Sequence, residues 1–311
     1  MPRFVHTARV KTNALPFGVV ALLLLLVPRI SCAHSAVESA PRTDRGWQDR
    51  QELLNKRAAE AGEKAQVIFI GDSITQGWEG EGKDVWVKYY APRNAINLGI
   101  GGDRTQHVLW RLDNGNLAGL KPKAAVVMIG TNNSNGEDNT PDQIVDGVTA
   151  IVKKLREKLP STKILLLAIF PRSENFGVQR GKLAMINQVL ARLGDNQNVF
   201  WVDFGHKFLN VDGTLPRELM PDYLHLSKRG YEIWAEAIEP KLSEILGNGT
   251  ASAASGLGGR WTATLPGPNT DPVDNPLALK MEGNVVMGSF TRGEGGELEF
   301  RNGRVDGDKF S

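Results

Sequence analysis

Apolar residues in the middle of the chain form two kinds of pattern, short continuous runs and longer stretches with helical spacing. The continuous runs are typical of strands buried on both faces, and they occupy residues 67–70, 95–98, 124–129, 163–169 and 199–203. The helical spacing predicts helices at residues 47–65, 104–112, 178–193 and 228–246, a further helix from residue 141, and a short helix or turn at residues 84–91. Strands that alternate with helices predict a parallel sheet with helices on both faces.

Polar turns rich in glycine follow the first three predicted strands. They contain Ser73, Gly101-Gly102 and Thr131-Asn132. Right-handed crossovers between parallel strands place the carboxyl ends of the strands along one edge of the sheet, where ligands and catalytic groups gather. We therefore expect these three turns to meet. Two further helix starts carry local signals, with Thr140 as cap before Pro141 and Ser227 as cap of the last helix.

The two ends of the chain differ from the middle. Basic residues, an apolar stretch at 17–27 and the small residues Ser31-Cys32-Ala33 predict a signal peptide at 1–33, cut near Ala33 or Ala36. An exported protein, periplasmic or secreted, is expected, and the alternative is an uncleaved anchor. The domain prediction continues with a linker at 34–45, a catalytic domain at 46–246, a Gly/Ser/Ala-rich linker at 247–259 and a small β-rich unit at 260–311, incomplete or completed by something else.

Composition narrows the classes of partner and cofactor. The 311 residues are 41% hydrophobic and 23% charged with a net charge of +2, which gives no argument for nucleic acid. Cys32 is the only cysteine, and Arg29 before it disfavours a lipoprotein anchor. Cleavage after Ala33 would leave no cysteine, hence no disulfide or thiolate metal site, and no membrane-spanning segment. With few, unpaired histidines, we expect no metal and no cofactor.

The candidate chemistry starts from Ser73, which is either a nucleophile or a helix cap. A serine hydroxyl is a weak nucleophile unless a base accepts its proton. The best candidate base is His225, with Asp222 three residues earlier to orient its ring, although both could be ordinary capping and surface residues. Negative charge on an ester carbonyl could be stabilised by the Ser73 and Gly102 backbone N–H groups and the Asn132 side chain, which could equally be turn residues.

These residues together resemble the signature of the SGNH, or GDSL, hydrolases. Gly71-Asp72-Ser73-Ile74 matches the first block, Gly102 the second, Gly130-Thr131-Asn132 the third and Asp222-x-x-His225 the last. Residues 97–112, from Asn97-Leu98-Gly99 to Trp110-Arg111-Leu112, look like the catalytic subunits of type I platelet-activating-factor acetylhydrolase. The resemblance covers residues 67–246.

The resemblance implies a flavodoxin-like α/β/α sandwich with a five-stranded parallel sheet. It also implies Ser73 as nucleophile, His225 as base, Asp222 as its orienting acid, and an oxyanion hole made by Ser73, Gly102 and Asn132. Ile74 and Tyr223 depart from the usual Leu and Gly without supplying chemistry. The signal peptide and the β-rich tail leave the lipid substrate open.

The resulting hypothesis is an exported serine esterase for short-acyl, above all acetyl, esters of a carbohydrate or lipid-like substrate. An acyltransferase on the same triad and a non-catalytic carbohydrate-binding module are the alternatives.

Two other motifs are absent from the sequence. The pattern Gly77-x-x-x-x-Gly82-Lys83 lacks the Ser or Thr of a phosphate loop, and no Gly-x-Ser-x-Gly elbow is present. Three residues on or beside the helix after the second strand either pack in the core or have a role at the edge of the site: His107, Trp110 and Arg111. The sequence makes no prediction of oligomeric state.

Overall fold

The computed structural model describes residues 34–247 and the backbone of five strands between residues 259 and 310. The predicted signal peptide at 1–33 and most of the predicted linker at 247–259 lie outside the described residues. Among the described residues, no helix is long and apolar enough to cross a membrane.

The centre of the domain is a five-stranded parallel sheet, as predicted. The strands are β1 (Val67–Gly71), β2 (Ala95–Gly99), β3 (Ala124–Met128), β4 (Lys163–Leu167) and β5 (Val199–Val202). Their order across the sheet is β2-β1-β3-β4-β5, which is the flavodoxin-like order. In the register, Gly71 at the end of β1 pairs with Gly99 of β2 and Met128 of β3. The turns after these three strands therefore start at the same edge of the sheet.

Helices cover both faces of the sheet and complete the predicted three layers. They are α1 (Arg45–Ala61), α2 (Ser73–Gln76), α3 (Lys83–Tyr89), α4 (Thr105–Asp113), α5 (Pro141–Lys158), α6 (Val178–Leu190) and α7 (Lys228–Leu246). Side chains of α1, α4, α5 and α6 share one buried cluster with Ile68 and Ile70. Val67 and Phe69 point to the other face, where α2, α3 and α7 pack. The alternation along β1 therefore supplies both halves of the core.

The helix boundaries lie within two residues of the prediction, except at two helix ends. Thr140 caps α5 with Pro141 as its first residue, and Ser227 caps α7, both as predicted. The predicted helix at 47–65 instead ends at Ala61, because Gly62 takes a φ of 50° and leaves the α-helical conformation. The helix predicted to reach residue 193 ends at Leu190 and continues as a 3₁₀ turn.

The segment at residues 34–44 lies against the α/β domain, although its composition predicts a linker. The Thr105 hydroxyl donates to the Ala36 carbonyl at 2.7 Å, and Asn139 donates to the Ser35 hydroxyl at 2.9 Å. Ala40 N donates to the Gln106 carbonyl at 3.3 Å. The backbone of this segment is therefore held on the domain by hydrogen bonds to residues at or next to the starts of α4 and α5.

The strands of the C-terminal region form a separate antiparallel sheet. They are β6 (Gly259–Pro266), β7 (Pro272–Glu282), β8 (Val285–Thr291), β9 (Glu297–Asp306) and β10 (Lys309–Phe310), each paired with its neighbour in sequence. The domain boundaries at 246 and 260, and the incompleteness of this unit, stay predictions.

Candidate active site

Ser73 lies directly after β1, at the start of α2. Its neighbour Asp72 is the N-cap of this short helix, since the Asp72 carboxyl accepts a hydrogen bond from Ile74 N at 3.0 Å. The turn requires glycine at position 71, because a Cβ there would come within 2.4 Å of the Met128 carbonyl oxygen. The capping role belongs to Asp72, and the Ser73 hydroxyl is left to bond elsewhere.

The Ser73 hydroxyl meets the side chains of the second predicted motif. Ser73 Oγ lies 2.8 Å from His225 Nε2, and His225 Nδ1 lies 2.6 Å from Asp222 Oδ2. Because an ionised carboxylate only accepts, the Nδ1 nitrogen carries the proton and Nε2 accepts from the serine hydroxyl. The three residues thus form a continuous row of hydrogen bonds, although Ser73 and His225 are 152 positions apart in the sequence.

A tight turn before α7 holds Asp222 and His225 in this arrangement. Asp222 Oδ1 accepts from the backbone N–H of Leu224 at 3.0 Å and of His225 at 2.7 Å, so one carboxylate orients both the ring and the backbone of His225. Tyr223 between them has a φ of 61°, in the left-handed region that glycine favours. Buried Met220 and Leu226 anchor the turn on either side.

Two aspartates at this site have opposite electrostatic environments. Burial raises the pKa of Asp72 to about 7, and nearby Asp103 adds to that rise. Its Oδ2 atom is buried with no hydrogen-bond partner among the described residues. Burial acts to raise the pKa of Asp222 as well, but hydrogen bonds from His225 and Leu224 bring it below its usual value. Asp222 is therefore the carboxylate that stays ionised beside His225.

The three turns at the edge of the sheet come together as predicted. A Cβ built on Gly101 would lie 3.8 Å from the Ser73 Cβ, and Gly101 N donates to Gln76 Oε1 at 2.7 Å. Asn132 Nδ2 donates to the Asp103 carbonyl at 2.9 Å, which ties the third turn to the second. Gly102 has a φ of 76°, a conformation that suits glycine. The first turn therefore contacts the second, and the second contacts the third.

A buried ion pair beneath these turns was not predicted. Arg111 Nε donates to Asp103 Oδ2 at 2.7 Å, and both side chains are fully buried. Arg111 also donates to the carbonyls of Leu98 at 2.8 Å and Gly71 at 3.2 Å. Trp47 Nε1 donates to Asp103 Oδ1 at 2.7 Å. Arg111 therefore ties the ends of β1 and β2 to the second turn from inside the core, which is a packing role.

One sequence feature could have predicted this ion pair: a charged residue on the apolar face of a predicted helix. Arg111 lies between Val108 and Leu112 on the buried side of α4, and a buried charge requires a partner. The identity of the partner could not be read from the helix. Trp110 packs against Trp47 with ring centroids 5.5 Å apart, and His107 Nδ1 accepts from Arg104 N at 3.0 Å.

Arg172 is a residue near the site that the sequence pattern did not indicate. Its Nη1 donates to Asn135 Oδ1 at 2.9 Å and to the Thr131 carbonyl at 3.3 Å, beside the third turn. Burial lowers the pKa of Arg172, while the charges of Asp72 and Asp222 act to raise it. A cation therefore stands near both carboxyls of the site.

Ser73 opens onto a cleft of about 530 Å³. Its lining comprises Ser73, Gln76, Gly77, Glu79, Gly80 and Gly101. A larger groove of about 730 Å³ lies beside α6 and the residues after β5, and it contains no member of the Ser73–His225–Asp222 row. The described residues contain no group of three or more His, Cys, Asp or Glu side chains arranged to hold a metal.

The comparisons with known proteins agree with this fold. The sequence model of the GDSL-like lipase/acylhydrolase family matches residues 69–233, which is more than half of the chain. The chain belongs to the GDSL-like lipase/acylhydrolase family, as its motifs predicted, and is a carboxylic ester hydrolase.

Similar proteins include subunits of one enzyme. Platelet-activating factor acetylhydrolase IB subunit alpha1 of Bos taurus is 37% identical over 205 residues, 66% of this chain and 83% of that protein. Subunit alpha2 of Rattus norvegicus is 38% identical over 181 residues, 58% of this chain and 77% of that protein. A solved candidate acylhydrolase of Bacteroides fragilis has a TM-score of 0.53 at 21% identity, covers 66% of this chain and 100% of its own, and shares the fold.

Proposed function

We propose that the chain is a serine esterase that removes short acyl groups through an acyl-serine intermediate. The observation that carries the proposal is the continuous row from Ser73 Oγ through the His225 ring to the Asp222 carboxylate, with distances of 2.8 Å and 2.6 Å. In this proposal Ser73 is the nucleophile, His225 the general base and Asp222 its orienting acid.

The acylation step follows from this geometry. Ser73 Oγ attacks the ester carbonyl carbon while its proton moves to His225 Nε2. The carbonyl oxygen becomes negative and accepts hydrogen bonds from the backbone N–H groups of Ser73 and Gly102 and from the Asn132 side chain. His225 then gives its proton to the leaving alkoxide, and the alcohol departs. Asp222 stabilises the imidazolium that exists between the two proton transfers.

Deacylation repeats these roles with water. His225 Nε2 accepts a proton from a water molecule as its oxygen attacks the acyl carbonyl, and Ser73 Oγ recovers the proton as it leaves. Asn132 uses one amide N–H to bind the Asp103 carbonyl at 2.9 Å. A primary amide has two N–H bonds, so the second remains for the oxyanion in both steps.

We propose acetyl as the acyl group and a polar alcohol, of which a carbohydrate is the main class. The two relatives at 37% and 38% identity are named as acetylhydrolases, which supports a short acyl chain. Gln76 and Glu79 line the cleft beside Ser73. Glu79 binds Arg50 and Arg57. Gln76 Oε1 accepts from Gly101 N, so in this proposal the Gln76 amide N–H groups are the ones that bind hydroxyl groups of the alcohol.

A panel of 4-nitrophenyl esters of graded acyl length tests the proposal. We expect acetate to be hydrolysed with the highest kcat/KM, Ser73→Ala to abolish turnover while unfolding cooperatively, and Ser161→Ala to behave like wild type. Ser161 is an exposed serine at the opposite end of the sheet and serves as the matched control. Folded Ser73→Ala with wild-type activity would overturn the proposal.

The same assays distinguish the two alternatives. Acyl transfer to added alcohols in preference to water would identify an acyltransferase. Sugar binding without turnover would identify a binding module.

We also propose that the protein is exported, on the support of the basic and apolar pattern within residues 1–33. Cleavage after Ala33 would preserve Ser35 and Ala36, which bond to Asn139 and Thr105, whereas cleavage after Ala36 would remove both contacts. We therefore favour His34 as the mature N-terminus. N-terminal sequencing of the protein from the culture medium or periplasm tests this, and an intact Met1 would contradict export with cleavage.

A further inference from the structure

The Arg42 side chain, in the segment at 34–44, contacts the second turn of the site. Its Nη1 donates a hydrogen bond to the Gly101 carbonyl at 2.7 Å. A Cβ built on Gly102 would come within 2.9 Å of the same Nη1 atom. The guanidinium therefore lies directly over the Gly101–Gly102 peptide unit. Residue 42 lies outside residues 69–233, which the family model matches.

The Gly101 carbonyl and the Gly102 N–H belong to the same peptide unit. In a trans peptide these two groups point in opposite directions, so whatever holds the carbonyl also aims the N–H. The structure contains no cis peptide bond among the described residues. Glycine on both sides leaves this peptide free to rotate, because neither residue has a Cβ to restrict it. Asp103 N donates to the Ile100 carbonyl at 3.2 Å and closes a turn around this peptide, but such a bond is compatible with either orientation of the central peptide, so a further contact favours one of them.

We propose that Arg42 is a positioning residue that orients the Gly101–Gly102 peptide so that the Gly102 N–H faces the developing oxyanion. The proposal rests on the esterase function above. A charged donor on the carbonyl also draws electron density from the amide nitrogen, which makes the Gly102 N–H a stronger donor. Arg42 touches neither substrate nor reacting atoms in this role.

Arg42 is itself fixed from two directions. Asp44, which caps α1 by accepting from Trp47 N, also accepts from Arg42 Nε at 2.9 Å. The hydrogen bonds of Ser35, Ala36 and Ala40 hold the preceding segment on the domain. The Arg42 side chain is only 28% exposed. Since its neighbours are ordered, the guanidinium loses little further freedom in bonding Gly101.

The central test separates orientation from charge and from folding. The variants are Arg42→Met, Arg42→Lys and, as a matched control, Arg45→Met, which removes the same charge from an 84% exposed side chain nearby. On 4-nitrophenyl acetate we expect Arg42→Met to lower kcat roughly ten- to a hundredfold with a much smaller change in KM, because an oxyanion donor acts on the transition state. We expect Arg42→Lys to recover part of the loss and Arg45→Met to match wild type.

A transition-state analogue gives a second measure. A trifluoromethyl ketone adds to the serine and places an oxyanion in the same hole, so its Ki should rise in Arg42→Met by about the factor lost in kcat/KM. If KM rises while kcat stays unchanged, Arg42 binds substrate directly and the proposal is wrong. If kcat falls only together with cooperative unfolding at the assay temperature, the role is structural and the proposal is also wrong.

An NMR measurement decides the question without turnover. The Gly102 amide signal reports on the peptide unit whose carbonyl Arg42 binds, so it should shift in Arg42→Met, return towards wild type in Arg42→Lys and stay in place in Arg45→Met. A Gly102 signal that is the same in wild type and Arg42→Met overturns the inference. If wild type hydrolyses no ester, the proposed function fails, and this signal still tests the orientation of the peptide.

Discussion

Asp72 precedes Ser73 in the chain and Asp222 bonds the His225 ring, and the two aspartates differ in burial and in the direction of their pKa shifts. Asp72 is fully buried at the end of β1, and burial raises its pKa to about 7. The Asp222 side chain is 55% exposed, and although burial acts to raise its pKa, the hydrogen bonds from His225 and Leu224 keep the pKa below the usual value. Both carboxyls accept backbone hydrogen bonds and both belong to aspartates. The difference in their pKa values therefore comes from their exposure to water and from their other hydrogen-bond partners.

The difference extends to the two halves of the site. The side that carries Ser73 and the proposed oxyanion donors rests on strand ends tied to the core by the buried Arg111–Asp103 pair. The side that carries Asp222 and His225 is an exposed turn held by its own backbone hydrogen bonds. Substitutions on the exposed side should therefore affect mainly the rate, and substitutions on the buried side should also affect stability.

The largest expected effect is that of Asp222→Asn. The amide can donate to His225 Nδ1 and so favours the wrong tautomer, which should lower kcat by roughly 10³- to 10⁴-fold with little change in Tm. Steady-state kinetics and thermal unfolding measure both. Asp212→Asn is the control, since Asp212 accepts backbone and hydroxyl hydrogen bonds in an exposed turn without touching a histidine. A kcat within tenfold of wild type would contradict the role of Asp222.

Asn132→Ala should have the next largest effect. Loss of one oxyanion donor lowers kcat by roughly 10²- to 10³-fold, while KM moves much less because the donor acts mainly on the transition state. The measurement is kcat and KM on one small ester, with exposed Asn210→Ala as control. Unchanged kcat would mean that Asn132 serves only the turn, through its bond to the Asp103 carbonyl.

Asp72→Asn should change how stability depends on pH. In the folded protein the Asp72 pKa of about 7 lies above the reference value of 3.8, so the folded state keeps a proton that the unfolded chain releases. The free energy of unfolding contributed by this group therefore falls as pH rises from about 4 to about 7. Asparagine keeps the cap and cannot ionise, so the variant should lack this part of the dependence.

Urea unfolding of wild type and Asp72→Asn at pH 5 and pH 7.5 measures the effect. We expect the stability of the variant relative to wild type to increase between the two pH values by on the order of a few kcal/mol, since one pKa unit corresponds to about 1.4 kcal/mol. Other titrating groups are common to both proteins and cancel in the difference. Parallel pH profiles would show that Asp72 does not hold a proton at neutral pH.

The smallest effect concerns the exposed turn. Tyr223 has a φ of 61°, where only glycine is free of strain from its Cβ. Tyr223→Gly should therefore be more stable than Tyr223→Ala by about 1 kcal/mol. The two variants lose the same hydrogen bond from Arg217 Nε to the phenol, so their difference isolates the backbone. Equal unfolding midpoints for the two variants would mean that the turn relaxes when the ring is removed.

Local signals predicted a large part of this molecule. The apolar runs placed all five strands of the parallel sheet, and Thr140, Pro141 and Ser227 marked helix starts correctly, because caps act on groups within four residues of sequence. The helix ends near Gly62 and Leu190 were misplaced, since helical spacing alone does not show where the backbone leaves the helix. The alternation of strands and helices was enough to predict which turns share an edge.

The sequence by itself determined the kind of fold and the residue types at the site, from Ser73 to Asp222 and His225. Only the tertiary structure decided what surrounds them. Arg42 meets Gly101 across 59 positions, and Arg111 meets Gly71 across 40. Such contacts depend on how the elements pack, and the pKa of a carboxyl such as Asp72 depends on the water that packing removes. Local pattern specifies where a strand or helix lies along the chain, whereas burial and long-range partners exist only once the chain has folded.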